Sequence, residues 1–202
     1  SWRRVLTFRP LWLLLLGRLV TDPVWYFYQF WFAKYLNTDR DVAQGDLTIT
    51  WIVYAAAGVG SLAGGWLSGR VIKKGRGPVR ARMVVMSACA CLMPVSLLIP
   101  RVESMPVAMT LTVVAVIAAL AWLINISAIV VDVVPKHSVG TVFSVVAAGS
   151  TLGGIAMNMI VAAMVSGPSV KPAGFLDQGF KALFGPLISA VEGSGYPPWF
   201  AV

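Results

Sequence analysis

GRLVTDPVWYFYQFWFAKYL, residues 17 to 36, is a long, mostly apolar run that nevertheless keeps an arginine, an aspartate, a glutamine and a cluster of aromatics, with a threonine and a lysine. On a helical wheel of about 100° per residue, Arg18, Asp22, Tyr26 and Gln29 fall within an arc of about 80°, with Thr21 and Trp25 beside it. Arg18 and Asp22 are one turn apart and opposite in sign, so they can neutralise each other as a structural pair. A guanidinium released from that pair could instead attract a carboxylate. Ionisable groups are costly inside a membrane, and a stripe of them there marks a polar pathway or a binding site between helices.

A second polar set lies further along. Asn125 sits in an apolar run, and Ser144, Thr151 and Asn158 follow at seven-residue spacing, hence on one helix face. An asparagine in hydrocarbon must find a hydrogen-bond partner, which makes Asn125 either interhelical glue or a substrate contact. Asp132, four residues before Lys136, reads as one half of a gate-side ion pair. Tyr26, Gln29, Asn125, Ser144 and Thr151 fall at depths suited to a transporter site near the bilayer midplane. Trp25 or Trp31 supplies an aromatic surface for the carbon face of a substrate.

Other chemistries find no support. The single histidine, His137, lies in a basic turn, no span holds paired carboxylates, and Cys89 and Cys91 stand in an apolar run without ligand-type neighbours. No catalytic residue, metal site or cofactor is therefore expected, and both cysteines read as small buried packing residues. KKGRGP lacks the glycine spacing of a phosphate loop or a dinucleotide fingerprint.

The elements that must position these residues are membrane spans. With 58% hydrophobic and 12% charged residues and a positive mean hydropathy, the chain is too apolar for a soluble domain. Runs at 10–36, 47–72, 83–100, 107–134 and 139–165 each carry about 18 or more mostly apolar residues, enough to cross a bilayer. A sixth begins at PPWFAV, 197–202. A net charge of +8 could suggest nucleic acid, but ten of the sixteen basic residues fall on one side of these spans and five on the other. That is the positive-inside pattern, so no nucleic-acid partner is expected and Ser1 is placed in the cytoplasm. A kink is expected near residues 19–23, where Pro23 follows Asp22. Gly60-xxx-Gly64 and Gly65-xxx-Gly69 allow a neighbouring helix to approach closely. GSTLGG at 149–154 echoes GSLAGG at 60–65, as an inverted three-plus-three repeat would. Residues 166–196 form a long external connection, with room for a short surface helix.

Three stretches carry a family resemblance. GRLVTDPVWYFYQFWFAKYL resembles the seventh helix of the sugar-acid branch of the major facilitator superfamily, the hexuronate-type anion:cation symporters. WIVYAAAGVGSLAGGWLSGRVIKKG resembles the eighth helix and its basic loop, and NISAIVVDVVPKHSVGTVFSVVAAGSTLGG the tenth and eleventh. The resemblance implies an all-α membrane protein: the six-helix C-terminal bundle of a major facilitator fold, its last helix truncated, partnered by an N-terminal half. It implies proton-coupled transport of small organic anions, hexuronate-like sugar acids, in a bacterial inner membrane. By it Tyr26 matches a pocket tyrosine, Asn125 the asparagine seven residues before the aspartate of D-x-x-P (Asp132 to Pro135), and Ser144 a small or amide cavity residue. The family's coupling and carboxylate-binding charges lie mostly in the N-terminal half. Ala33-Lys34 after Trp31-Phe32 departs from the family's usual proline, and the long outer loop is also unusual. The residues leave a second class open, a non-transporting membrane sensor or assembly partner that keeps the fold.

Overall fold

The computed structural model describes residues 7 and 9–166. Most of the external connection at 166–196 and the sixth span from 197 lie outside the described residues. Six α-helices are present among those described: α1 Arg9–Phe30, α2 Phe32–Asp39, α3 Trp51–Lys73, α4 Pro78–Leu92, α5 Met105–Val133 and α6 Val139–Ser166. Tighter 3₁₀ segments cover Gln44–Thr50, Met93–Arg101 and Lys136–Ser138. No strand occurs among the described residues.

Four stretches are long and apolar enough to cross a membrane: Gln44–Lys73, Pro78–Arg101, Met105–Val133 and Lys136–Ala162. The first expected span, 10–36, is not among them, because Arg18, Asp22 and two prolines dilute its apolar run. It is also two helices rather than one. The helix runs unbroken through Pro23, and the interruption comes at Trp31. Hydrogen bonds from Trp31 N to Phe27 O and from Tyr35 N to Trp31 O, both 2.9 Å, carry the chain across it. The expected span at 83–100 starts earlier, at Pro78, and tightens to 3₁₀ from Met93. Pro94 has no N–H to give to the carbonyl four residues back, and this favours the tighter turn.

Helix α5 is the hub, packed against α1, α3, α4 and α6, while α1 makes its main contact with α6. Two close seams hold this arrangement. A Cβ on Gly60 would lie 2.5 Å from the Ile117 carbonyl oxygen, and one on Gly64 would lie 2.6 Å from the Ala121 Cα. On α6, a Cβ on Gly149 would meet the Leu15 side chain at 2.8 Å, and one on Gly153 would meet the Leu19 carbonyl oxygen at 2.5 Å. The first and fifth positions of GSLAGG and GSTLGG thus do the same work, α3 on α5 and α6 on α1, each over partner residues four apart. This is the geometry that lets helix backbones touch without a strong hydrophobic drive between them. Gly65 and Gly69, by contrast, face open space, so the second expected glycine pair makes no close contact.

Apolar packing fills the rest. Phe27, Phe32, Tyr35, Leu36, Val53, Ile99 and Met157 join one cluster, and Leu11, Leu14, Ile126, Val130, Val142 and Val146 another near the basic loop. Cys89 packs with Val85, Ala118 and Ala121, as expected for a small apolar residue. Cys91 does not; two residues on, it has turned to the exposed side of α4. At the end away from the basic loop, Arg40 donates to Tyr35 Oη at 2.9 Å and to the carbonyls of Ile99 and Val102. It thereby fastens the turn after α2 to the C-terminus of the Met93–Arg101 segment, where carbonyls lack intrahelical donors.

Candidate functional site

Arg18 and Asp22 form a pair buried between α1 and its neighbours. Arg18 donates through Nε to Asp22 Oδ2 at 2.7 Å, Nη2 lies 2.7 Å from the same oxygen, and Nη1 donates to Ser127 Oγ on α5 at 3.3 Å. Asp22 is 1% exposed, and its Oδ1 is buried with no hydrogen-bond partner among the described residues. The carboxylate therefore has one oxygen fully engaged and one vacant lone-pair site. A buried acceptor left in that condition is costly.

Pro23 explains why the stripe meets α6 here. The Leu19 carbonyl, deprived of its donor four residues on, lies against Gly153, and the Pro23 Cγ would be 3.2 Å from a Cβ at the same glycine. A side chain at 153 would strike both. One turn further, Tyr26 packs on Gly154 and stacks on Phe30 with ring centroids 6.0 Å apart at 9°. Gln29 is half-buried, and its main-chain carbonyl accepts from Tyr54 Oη at 3.3 Å.

Next to Phe30, on which Tyr26 stacks, lies an open cleft of about 380 Å³ lined by Phe30, Trp31, Lys34 and Asn158. Trp31 Nε1 donates to Asn158 Oδ1 at 2.7 Å, and Asn158 Nδ2 donates to Gly154 O at 2.9 Å, which fixes the indole plane. Lys34 Nζ sits 5.2 Å from the centre of that indole. An ammonium over an aromatic platform, one turn from a polar helix face, suits an anion with an apolar flank. The sequence had pointed to Trp31; Lys34 and Asn158 as its companions were not selected. Two signals were available, the i,i+3 spacing of Trp31 and Lys34 and the place of Asn158 on the Ser144–Thr151 face.

The remaining expected residues are not gathered into this cleft. Asn125 is fully buried in the α3–α5 seam, where Nδ2 donates to Gly64 O at 3.1 Å and to Ala121 O at 2.8 Å. Its amide nitrogen is therefore interhelical glue, while Oδ1 is buried without a partner among the described residues. Ser144 and Thr151 lie on the exposed face of α6, each hydroxyl turned back to a main-chain carbonyl of its own helix, Gly140 at 2.9 Å and Ala147 at 3.3 Å. They share a surface with each other, not with Arg18 or Asn125.

Asp132 is corrected in its partner. It pairs with Arg82 at the start of α4 rather than with Lys136, Arg82 donating through Nε to Oδ2 and through Nη2 to Oδ1 at 3.4 Å. Lys136 follows the end of α5 at Val133, past Pro135, so it has left the helical register that would bring it back over Asp132. The Arg82–Asp132 bridge ties α4 to α5 at the basic end, with the two side chains 17% and 18% exposed. Neutralising either partner is expected to cost on the order of 1–2 kcal/mol. Exchanging the two residues is expected to recover most of it, as thermal midpoints of Arg82→Ala, Asp132→Ala and the swapped pair would show.

Compared with known proteins, residues 1–157 match the family model described as Major Facilitator Superfamily. A search of curated proteins found no match.

Proposed function

Since the chain belongs to the major facilitator superfamily, a family of integral membrane transporters, we propose that it is half of a proton-coupled carrier of small organic anions, sugar acids of the hexuronate class. The other half is an N-terminal bundle against which this one rocks in alternating access, in a bacterial inner membrane with the basic loop inside. The observation that carries this reading is the buried Arg18–Asp22 ion pair, whose Asp22 Oδ1 has no partner among the described residues.

The pair is electrically neutral as it stands. Adding a proton to Asp22 alone would leave the Arg18 cation uncompensated in a low-dielectric interior, and adding an anion beside the intact pair would leave a net negative charge. A proton on Asp22 together with a substrate carboxylate beside Arg18 restores neutrality. Charge balance thus couples the two, and the closed pair serves as the gate. In this scheme Lys34 makes first contact with the anion, Trp31 packs against its carbon face, and Tyr26 and Gln29 meet its hydroxyls deeper in. Ser144 and Thr151 lie on the exposed face of α6, where the other half would pack, and meet substrate hydroxyls once released from the Gly140 and Ala147 carbonyls, while Asn125, which the family resemblance makes a cavity residue, meets the substrate through its Oδ1. Arg82–Asp132 closes the basic end.

The test is uptake of labelled glucuronate and galacturonate by proteoliposomes of the complete carrier under an inward proton gradient. Accumulation that a protonophore abolishes supports the proposal; no accumulation of any sugar acid removes the substrate class. A sensor that merely keeps the fold would give no uptake, would tolerate Tyr26→Ala and Asn125→Ala, and would lose its output on changes in the loop at 70–82. Lys34→Ala is expected to raise the half-saturating sugar-acid concentration roughly tenfold, the loss of one charge-assisted contact. The maximal rate stays, and Lys34→Arg recovers most of the affinity; concentration-dependent initial rates check both.

A further inference from the structure

No acidic residue occurs between Asp46 and Glu103, while Arg70, Lys73, Lys74, Arg76, Arg80 and Arg82 crowd the turn from α3 into α4. Two of the six are accounted for. Arg82 is bound by Asp132, and the Arg70 guanidinium lies 3.6 Å from the centre of the Trp66 ring. An exposed tryptophan carrying an arginine is the pairing found where a helix meets the headgroup layer, and Trp66 is 55% exposed.

Arg76 and Arg80 are different. Both are exposed, and neither has an ion-pair or hydrogen-bond partner among the described residues. They line one end of a cleft of about 570 Å³ whose wall continues onto Met83, Val84 and Ser87. Residues 80, 83, 84 and 87 follow the i, i+3, i+4, i+7 pattern, so one stripe of α4 passes from a cation to an apolar surface. Met83 is 57% and Val84 42% exposed, an apolar track with no protein covering it among the described residues. Gly75 and Gly77 flank Arg76 and leave the mouth unobstructed; Gly75, at φ +89°, holds the left-handed conformation that ends α3.

We propose that this cleft binds one anionic phospholipid, its phosphate ester held between Arg76 and Arg80 and one acyl chain laid along Met83, Val84 and Ser87. The shared chemistry is that of a phosphate anion, and a free phosphate could meet the two guanidinium groups. The apolar continuation selects the lipid, because inorganic phosphate has nothing to set against Met83 and Val84. With no acidic side chain lining the cleft, and Asp132 engaged by Arg82, the site selects a net anionic headgroup over a zwitterionic one, whose cationic end would meet two uncompensated arginines.

The test is native mass spectrometry of the complete protein released from nanodiscs of phosphatidylglycerol or of phosphatidylcholine. One retained phosphatidylglycerol per protein is expected, with little phosphatidylcholine. Arg76→Gln/Arg80→Gln is expected to lower retention roughly tenfold, whereas Lys73→Gln/Lys74→Gln, which removes the same charge outside the cleft, leaves it within about twofold. Met83→Asp is expected to weaken lipid retention with both arginines in place. Equal losses in the two double variants would mean diffuse attraction to the basic loop and would overturn the site. Displacement of the lipid by millimolar inorganic phosphate, with Met83→Asp having no effect, would make it a phosphate site and overturn the lipid assignment. Elution as a single species in size exclusion shows that each variant is folded before its lipid is weighed.

Discussion

Asp22→Ala is expected to abolish proton-driven uptake and to lower the thermal stability of the protein by about 3–5 kcal/mol, the cost of leaving one member of a buried ion pair alone. Arg18 would keep only its 3.3 Å bond to Ser127, with Nε and Nη2 stripped of their acceptor in a nearly closed site. Asp22→Asn separates the two losses, because an amide oxygen still accepts from Arg18 while the side chain carries no titrating proton. It is expected to fold better than the alanine variant and to transport no better. Arg18→Leu/Asp22→Leu removes both charges and replaces them with apolar volume; its thermal midpoint is expected near that of the unaltered protein, again without coupled uptake. Uptake and thermal midpoints measured on the same three preparations check this. Normal accumulation by Asp22→Asn would remove Asp22 from the coupling.

Gly64→Val is expected to be the most damaging single change to the fold. Its side chain would start 2.6 Å from the Ala121 Cα and 2.9 Å from the Ala121 carbonyl oxygen, both backbone atoms that cannot turn aside. Overpacking of this kind costs about 1–3 kcal/mol. Parting α3 from α5 also takes the Gly64 carbonyl away from Asn125 Nδ2, exposing a buried polar group to a further cost of about 1–3 kcal/mol. Gly153→Val is expected to behave alike on α6, against the Leu19 carbonyl. Gly65→Val and Gly69→Val meet open space and serve as controls in the same GxxxG register. The fraction of protein that is monodisperse after extraction, with its thermal midpoint, is the measurement: Gly64 and Gly153 variants low, Gly65 and Gly69 variants near normal.

These glycines also show what a sequence can disclose. That α3 and α6 pack closely was legible from glycines four apart, because helix geometry puts i and i+4 on one face. Which pair touches a partner was not, since Gly60/Gly64 and Gly65/Gly69 satisfy the same local rule and only the position of α5 separates them. The Arg18–Asp22 pair was legible for the same reason, its two members being neighbours on one helix. Asp132 had a local candidate in Lys136 and a distant one in Arg82, fifty residues away, and the helix end at Val133 favoured the distant partner. Pro23 marked a kink near 19–23; the helix runs unbroken through it, with the Leu19 carbonyl that it frees lying against Gly153, and the break in the helix comes instead at Trp31, which had no sequence signal. The candidate site divided likewise. Arg18, Asp22, Tyr26 and Gln29 on α1 followed from the wheel, whereas Lys34 carried no such signal and the join between Trp31 and Asn158 spans 127 residues and depends on how α6 lies against α1.

Coupling through Asp22 is the core of the functional proposal, and proton movement reports on it most directly. The complete carrier, reconstituted in liposomes that enclose a pH-sensitive dye, is mixed with glucuronate at equal pH on both sides. The lumen is expected to acidify on addition of the sugar acid, in proportion to its uptake, and to stay unchanged with a neutral sugar or with Asp22→Asn. Glucuronate entering without lumenal acidification, or acidification that persists in Asp22→Asn, would contradict it.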